Sequence, residues 1–311
     1  MRTAFIETLF ELAQQDNRIV LMVGDLGFGV VNRFMEQLPA QFVNAGVAEQ
    51  NMTGMAAGMA LSGKQVFTYS IANFPILRCL EQIRNDVCYH QANVKIVSVG
   101  GGMAYGSLGI SHHATEDLAI MRALPNLMVV APGDPTEARL ATRALADYDG
   151  PAYLRLGRAG EPKVYFADPA FILGRAITVR RGGDITLIAS GGQLYDTVRA
   201  ADLLEQQGIH ARVLSLHTLK PLDEDALRAA ASETSAVFTI EEHSVIGGLG
   251  GAVAECLLEA DERPRYFKRL GLSDTFSSLV GDQDYLRAQY GLDVAGIVQT
   301  VLSTLVDSSY T

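Results

Sequence analysis

The residues best suited to chemistry lie in Asn44-Ala-Gly-Val-Ala-Glu49-Gln-Asn-Met-Thr-Gly-Met-Ala-Ala-Gly-Met-Ala-Leu-Ser-Gly63, which sets one carboxylate, Glu49, at the start of a helix poor in bulk and charge. Gly54, Ala56, Ala57, Gly58 and Ala60 let another backbone come close, so burial of this helix is expected. A lone acid there is poorly solvated; its pKa is expected to rise and the carboxyl to stay protonated near neutrality. Such an acid suits hydrogen bonding to a ring nitrogen better than metal binding. Plain helix capping is the alternative, since acids are favoured in a first turn, and the segment alone leaves both open.

A second stretch, Gly100-Gly-Gly-Met-Ala-Tyr-Gly-Ser-Leu-Gly-Ile-Ser-His112-His113-Ala-Thr-Glu116-Asp117, is a glycine-rich loop after an apolar run. Its glycines predict close approach to something, and loops at strand carboxyl ends are where open α/β sheets bind ligands. Adjacent histidines point apart on regular structure, so a joint metal site is not expected. One is expected to face a ligand and the other to pack. No Gly-Lys-Ser/Thr follows, which excludes a P-loop, and neither Gly-x-Ser-x-Gly nor His-Glu-x-x-His occurs. Arg155 and Arg158, at a strand end, could recognise phosphate or carboxylate or form surface salt bridges. Gly247-Gly-Leu-Gly-Gly251 has the wrong spacing for a dinucleotide fingerprint and reads as close helix–strand packing.

The elements that must position these residues alternate. Apolar runs at Ile19–Val23, Gln65–Tyr69, Val94–Val99, Met128–Ala131 and Ala152–Leu156 read as buried strands, with a short one at Gln41–Asn44. Helical spacing covers Thr3–Gln14, the Glu49 segment, Leu77–His90, Glu116–Ala123 and Pro135–Tyr148. Alternation of this kind implies a parallel sheet with helices on both faces. Beyond a break, strands at Ile185–Ala189, Ala211–Ser215 and Ala236–Ile240 alternate with helices at Tyr195–Gln207, Glu224–Ala231, one ending near Ala260, and Val294–Val306. The expected fold is thus α/β, two doubly wound βα domains, over 1–160 and 184–311, joined by a linker at 161–183 that carries an entering strand. At 311 residues two domains are in proportion. Apolar content of 48% and charged content of 19% describe a globular chain with a large core. The formal charge of −10, without a basic cluster, argues against nucleic acid. No apolar run is long enough to span a membrane. Cys79, Cys88 and Cys256 are sparse and unpaired in spacing, so reduced thiols, no signal peptide and a cytoplasmic protein are expected.

Taken together and in order, these motifs resemble the C-terminal portion of transketolase, its pyrimidine-binding domain followed by its C-terminal domain. They are also similar to the beta subunits of 2-oxoacid dehydrogenases and to part of 1-deoxyxylulose-5-phosphate synthase. Gly46-Val-Ala-Glu49 stands as the family's glutamate motif, Gly109-Ile-Ser-His112 where transketolases carry Gly-Pro-Thr-His, and Leu124-Pro-Asn-Leu-Met-Val-Val-Ala-Pro-Gly-Asp134 as the following strand. Gly150-Pro-Ala-Tyr-Leu-Arg-Leu-Gly-Arg158 matches the domain-closing strand, and Glu241-Glu-His-Ser-Val-Ile-Gly-Gly-Leu-Gly the C-terminal domain's signature. The resemblance implies thiamine diphosphate and Mg²⁺. The family's Gly-Asp-Gly metal and diphosphate motif does not occur here. The resemblance therefore implies one half of a split enzyme with no metal ligands of its own, completed by an N-terminal transketolase subunit that carries Gly-Asp-Gly. Exposed small-residue helices add a homodimer core and an α2β2 assembly.

The same resemblance implies that Glu49 hydrogen-bonds N1′ of the aminopyrimidine and that His112 assists proton transfers on substrate hydroxyls. Phe74, with Tyr69 beside it, would stack on the pyrimidine, and Asp25 and Leu26 would lie near the cofactor. His112, His113, Arg158 and Arg2 would meet a sugar or sugar-phosphate substrate. Leu108 stands where transketolases place an acid that reads a sugar hydroxyl, and Gly100–Gly102 where they place a histidine, so substrate recognition is expected to differ. His243 is expected in a capping or interface role. The function implied is transfer of a two-carbon ketol unit from a ketose to an aldose. A 2-oxoacid-decarboxylating subunit is the alternative, and a non-catalytic assembly subunit a minor one.

Overall fold

A computed structural model describes residues 1–27, 29–259 and 263–307. Among them the strands are β1 (Ile19–Val23), β2 (Phe42–Asn44), β3 (Gln65–Ile71), β4 (Val94–Val99), β5 (Met128–Val130), β6 (Ala152–Leu156), β7 (Ile177–Arg180), β8 (Ile185–Ala189), β9 (Ala211–Ser215), β10 (Thr218–Lys220), β11 (Ala236–Ser244) and β12 (Tyr266–Leu272). They form two sheets, ordered β10-β5-β6-β4-β3-β1-β2 and β12-β11-β8-β9-β7. Every pairing is parallel except β10 with β5 and β7 with β9. The two-domain α/β expectation holds. β1, β4, β6 and β8 are buried along their whole length, as strands covered on both faces must be. Ala260, near which one helix is expected to end, lies outside the described residues.

β10 is unexpected: three residues from the second half of the chain close the edge of the first sheet. Thr218-Leu-Lys220 is too short to show a period of two, so no strand pattern marks it. The halves also share a core. One apolar cluster runs from Val20, Met52 and Ile96 in the first half through Leu118 and Leu127 to Ile188, Leu216, Leu227 and Leu249 in the second. The strand expected in the linker is β7, which pairs with β9.

The expected helix Leu77–His90 is broken into Phe74–Leu77, Leu80–Gln82 and a π-helical turn, Ile83–Cys88. Pro75 opens the first piece. Ile76, Cys79, Ile83 and Val87 stay buried throughout, and the break leaves Arg78 exposed at the junction. π-turns of this kind gather at functional sites.

The helix Pro135–Asp147 ties the linker down. Its cap Asp134 accepts from the amides of Glu137 (2.8 Å) and Val164 (2.9 Å). Glu137, fully buried, accepts from the Gly133 amide (2.6 Å) and the Tyr165 hydroxyl (2.5 Å). Burial pushes the Glu137 carboxyl up from 4.5 to about 7. A folded pKa above the unfolded one gives stability that is complete below about pH 4.5 and is lost as pH rises through about 7. Chemical denaturation of wild type and Glu137→Gln between pH 5 and 8 should therefore show wild type losing stability relative to the variant, by roughly 2–3 kcal/mol. Parallel stability profiles would refute the raised pKa.

Candidate active site

The carboxyl ends of β1, β3, β4 and β6 form one edge, and the residues singled out above lie along it. The helix Glu49–Leu61 starts there. Glu49 is only 4% exposed, and its side chain lies beside the turn after β1, where a Cβ on Gly24 would meet the Glu49 Cγ at 3.7 Å. The helix begins after Ala48 without a side-chain cap. The Glu49 carboxylate instead accepts from the Arg78 guanidinium, Nη1 to Oε2, at 3.1 Å. Val47, Ala48, Glu49, Gln50, Asn51 and Arg78 line an open cleft of about 470 Å³. Only one face of the helix is covered: Met52, Ala56 and Ala57 are buried, whereas a Cβ on Gly54 or Gly58 would meet open space.

Arg78 joins Glu49 to an aromatic site. Its guanidinium lies 4.3 Å from the Phe74 ring centroid, a cation–π distance. Phe74 in turn packs edge-on against His112, with centroids 5.2 Å apart. The Asn73 amide donates to the Ser111 carbonyl at 2.7 Å, which fixes the two segments to each other. Glu49, Arg78, Phe74 and His112 are thus one contiguous group.

The two histidines lie in different surroundings. His112 is half-buried, with Nδ1 2.9 Å from the Ser111 hydroxyl. His113 is 3% exposed beneath the loop, with Nε2 3.5 Å from the Gly106 carbonyl and Nδ1 buried without a partner; its ring is covered within this chain, which corrects the expectation of an open contact with substrate. Tyr69 is corrected too. It is 1% exposed and stacked on Phe5 at 6.1 Å inside the core, so neither ring face is free.

The glycine-rich loop approaches its own protein. A Cβ on Gly100 would strike Tyr105, one on Gly101 would strike Arg155, and one on Gly102 would lie within 2.8 Å of three Glu242 side-chain atoms. On Gly106 it would strike the Gly281 carbonyl and Leu286. Those contacts come from a buried ionic clasp between the halves. Arg155 is a structural residue: it donates to Asp117 (2.8 Å) and to the carbonyls of Ala114 and Glu242. Asp117 also accepts from the Tyr153 hydroxyl at 2.6 Å. The Glu242 carboxylate accepts from the Met103 amide (2.5 Å), Gln283 and Arg287. His243, fully buried, lies 3.9 Å from Asp117 and 3.6 Å from Glu241, an interface role as expected. Glu241 accepts from the amides of Leu249 and Gly250, so the second glycine cluster is a helix start closed over a carboxylate.

Arg2 and Arg158 come together through a backbone bond, Arg2 N to Arg158 O, at 3.2 Å. Arg2 Nε is buried without a hydrogen-bond partner. Burial raises the pKa of the nearby Tyr105 hydroxyl, and the charges of Arg2 and Arg158 oppose it. The Tyr105 ring also lies 6.3 Å from that of His112, so this tyrosine links the arginines to the histidine. Arg158 borders a cavity of about 350 Å³ between the halves, shared with Glu161, Tyr195, Asp196 and Arg287. Asp25, exposed at a φ of 54°, exchanges hydrogen bonds with Asn44, and Leu26 packs on the core beside it. Among the described residues no group of three or more His, Cys, Asp or Glu could hold a metal ion, and no helix is long and apolar enough to cross a membrane.

Arg78, Tyr105 and Glu242 are site residues that the sequence does not announce. Arg78 carries no signal there, because its segment reads as one regular helix. The Gly100–Gly109 run is the signal for Glu242 and Tyr105: its glycines lie against Tyr105 and Arg155 in the first half and against Glu242, Gly281 and Leu286 in the second.

The geometry is that of a cofactor site at the carboxyl edge of a doubly wound sheet. Residues 1–161 match the transketolase pyrimidine-binding domain and residues 174–297 the transketolase C-terminal domain. The chain belongs to the thiamine diphosphate-dependent transketolase family. It is 44% identical, over 97% of its length and 96% of the relative, to one subunit of the apulose-4-phosphate transketolase of Phocaeicola vulgatus. It is 40% identical, over 96% of its length and 92% of the relative, to a 6-deoxy-6-sulfo-D-fructose transketolase subunit of a Clostridium species. Among solved structures it resembles a split-gene transketolase in an inactive beta4 tetramer, at a TM-score of 0.88 and 40% identity, covering 98% of this chain and 97% of that one.

Glu242→Ala should release the loop. Breaking one member of a buried ion-pair network costs about 3–5 kcal/mol, and amide hydrogen exchange over residues 100–113 should accelerate more than exchange in β1 or β8. Uniform acceleration across the chain would show that Glu242 stabilises the fold without fixing the loop.

Proposed function

We propose that this chain is the C-terminal subunit of a split transketolase, which moves a two-carbon ketol unit from a ketose to an aldose when joined by a diphosphate-binding subunit. The observation that carries the reading is Glu49: a buried carboxylate that opens on a cleft, does not cap its helix, and is joined through Arg78 to the Phe74 ring and, beyond it, His112. The described residues fit the pyrimidine end of thiamine diphosphate. Its thiazolium, when bound, supplies the electron sink for the transferred carbanion.

Glu49 would hold a hydrogen bond at N1′ of the aminopyrimidine, and Phe74 would pack against that ring. His112, half-exposed above Phe74, moves protons at substrate hydroxyls. Asp25 and Leu26 border the cofactor. Arg2 and Arg158 hold the anionic end of the sugar with Tyr105 between them and His112. The relatives named for apulose 4-phosphate and for a sulfo sugar support an anionic substrate. Mg²⁺ and the diphosphate would be held by the partner's Gly-Asp-Gly, a motif this sequence lacks. The uncovered face at Gly54 and Gly58, and the inactivity of the beta4 assembly of the related split-gene transketolase, support completion by a second polypeptide and an α2β2 particle.

The test is co-expression with a subunit carrying Gly-Asp-Gly, then assays with thiamine diphosphate, Mg²⁺ and ketose and aldose phosphates beside pyruvate. Glu49→Gln should lower ketol transfer by about 10²–10⁴-fold, the range of a lost acid–base contribution. Pyruvate consumption without ketol transfer would favour decarboxylation, and equal rates in wild type and variant would overturn the role of Glu49. Arg158→Ala should raise KM for phosphorylated sugars about tenfold or more while kcat changes little, the scale of one charged hydrogen bond. An unchanged KM would remove Arg158 from substrate binding.

A further inference from the structure

One guanidinium makes the two contacts assigned above to the aminopyrimidine. Arg78 Nη1 donates to Glu49 Oε2 at 3.1 Å, and its guanidinium carbon lies 4.3 Å from the Phe74 ring centroid. A guanidinium and an aminopyrimidine protonated at N1′ share the features these two groups read: a flat conjugated nitrogen cation that presents N–H in its plane and a face to an aromatic ring. Arg78 is half-exposed, at 50% of its side chain, whereas Glu49 is 4% exposed. The arginine can therefore leave into solvent, and the carboxylate cannot. It also stands at the break between Phe74–Leu77 and Leu80–Gln82, where no regular helix constrains it.

We propose that Arg78 is a loading latch: in the cofactor-free subunit it occupies the place of the aminopyrimidine on Glu49 and Phe74, and it must swing out for thiamine diphosphate to seat. The inference rests on the assignment of Glu49 and Phe74 to the pyrimidine. Its physical logic is that a buried carboxylate without a hydrogen-bond partner is costly. The latch satisfies Glu49 while the site is empty and hands it over when a ring nitrogen arrives. Cofactor binding then competes with an internal contact, and part of the cofactor's intrinsic affinity is cancelled by that competition.

Calorimetric titration of thiamine diphosphate with Mg²⁺ into the complex of this chain with its diphosphate-binding subunit tests it. Wild type, Arg78→Met and Arg78→Gln would be compared; the first keeps the stem and removes the guanidinium, and the second keeps one N–H donor without charge. Both should bind about three- to tenfold more tightly, the scale of one half-exposed ion pair and one exposed cation–π contact. Their cofactor-free complexes should melt lower than wild type, with a larger upward shift on loading. Equal or weaker cofactor affinity in both variants would overturn the latch and make Arg78 a neutral or cofactor-holding group. Glu49→Gln separates the two levels of the argument. If it abolishes ketol transfer while the Arg78 variants bind no more tightly, the latch alone fails. If it alters neither transfer nor affinity, the assignment of Glu49 fails and the latch with it.

Discussion

The structure depends on a buried ionic clasp between the two halves of the chain. Arg155 on β6 meets Asp117 and the Glu242 carbonyl, while the Glu242 carboxylate meets Arg287, Gln283 and the amide of Met103. Charges buried this way are stable only when every hydrogen-bonding position is filled. That demand brings the halves to one geometry, and the loop carrying Tyr105 and His112 is caught between them. The second domain thus helps decide where the histidine stands, and it also lines the cavity beside Arg158. The shared apolar core and β10, which crosses to the first sheet, reinforce the same closure.

Glu49 imposes the complementary constraint. Its carboxylate is buried at the edge of a cleft, and within this chain it is satisfied by a half-exposed arginine. A helix with an uncovered glycine face runs from it. The second domain packs on the same face of the first sheet as this helix, and the opposite face is covered by the helices Arg2–Gln15 and Pro135–Asp147. The proposed division of labour, with pyrimidine and sugar on this chain and diphosphate on a partner, rests on the buried carboxylate and the uncovered glycine face beside it.

Much of this is legible from residue order. Long apolar runs bounded by glycine mark the central strands, because full burial on both faces leaves no polar alternation to misread. Glu49 and His112 stand out since an acid before a small-residue helix and a histidine closing a glycine loop are unusual local patterns. Tyr69 and Phe74 sit near each other in sequence, yet one is stacked on Phe5 in the core and the other packs edge-on against His112; the first lies on β3 and the second opens the short helix after it, a change that the loose local pattern does not show. Arg78 is hidden because regular helical spacing conceals the break at Pro75 and the π-turn behind it. The glycine loop reads correctly as a close approach, but a sequence does not say what approaches. Long-range packing supplies Glu242, which lies 139 residues from the amide it holds.

The most direct test of the account is where thiamine diphosphate binds. Titration calorimetry with Mg²⁺ would compare this chain alone, a Gly-Asp-Gly subunit alone and their complex. The account predicts saturable binding by the complex at concentrations where neither polypeptide in isolation takes up measurable cofactor. Binding by this chain alone with the affinity of the complex would contradict it, because the site would then be whole within one polypeptide.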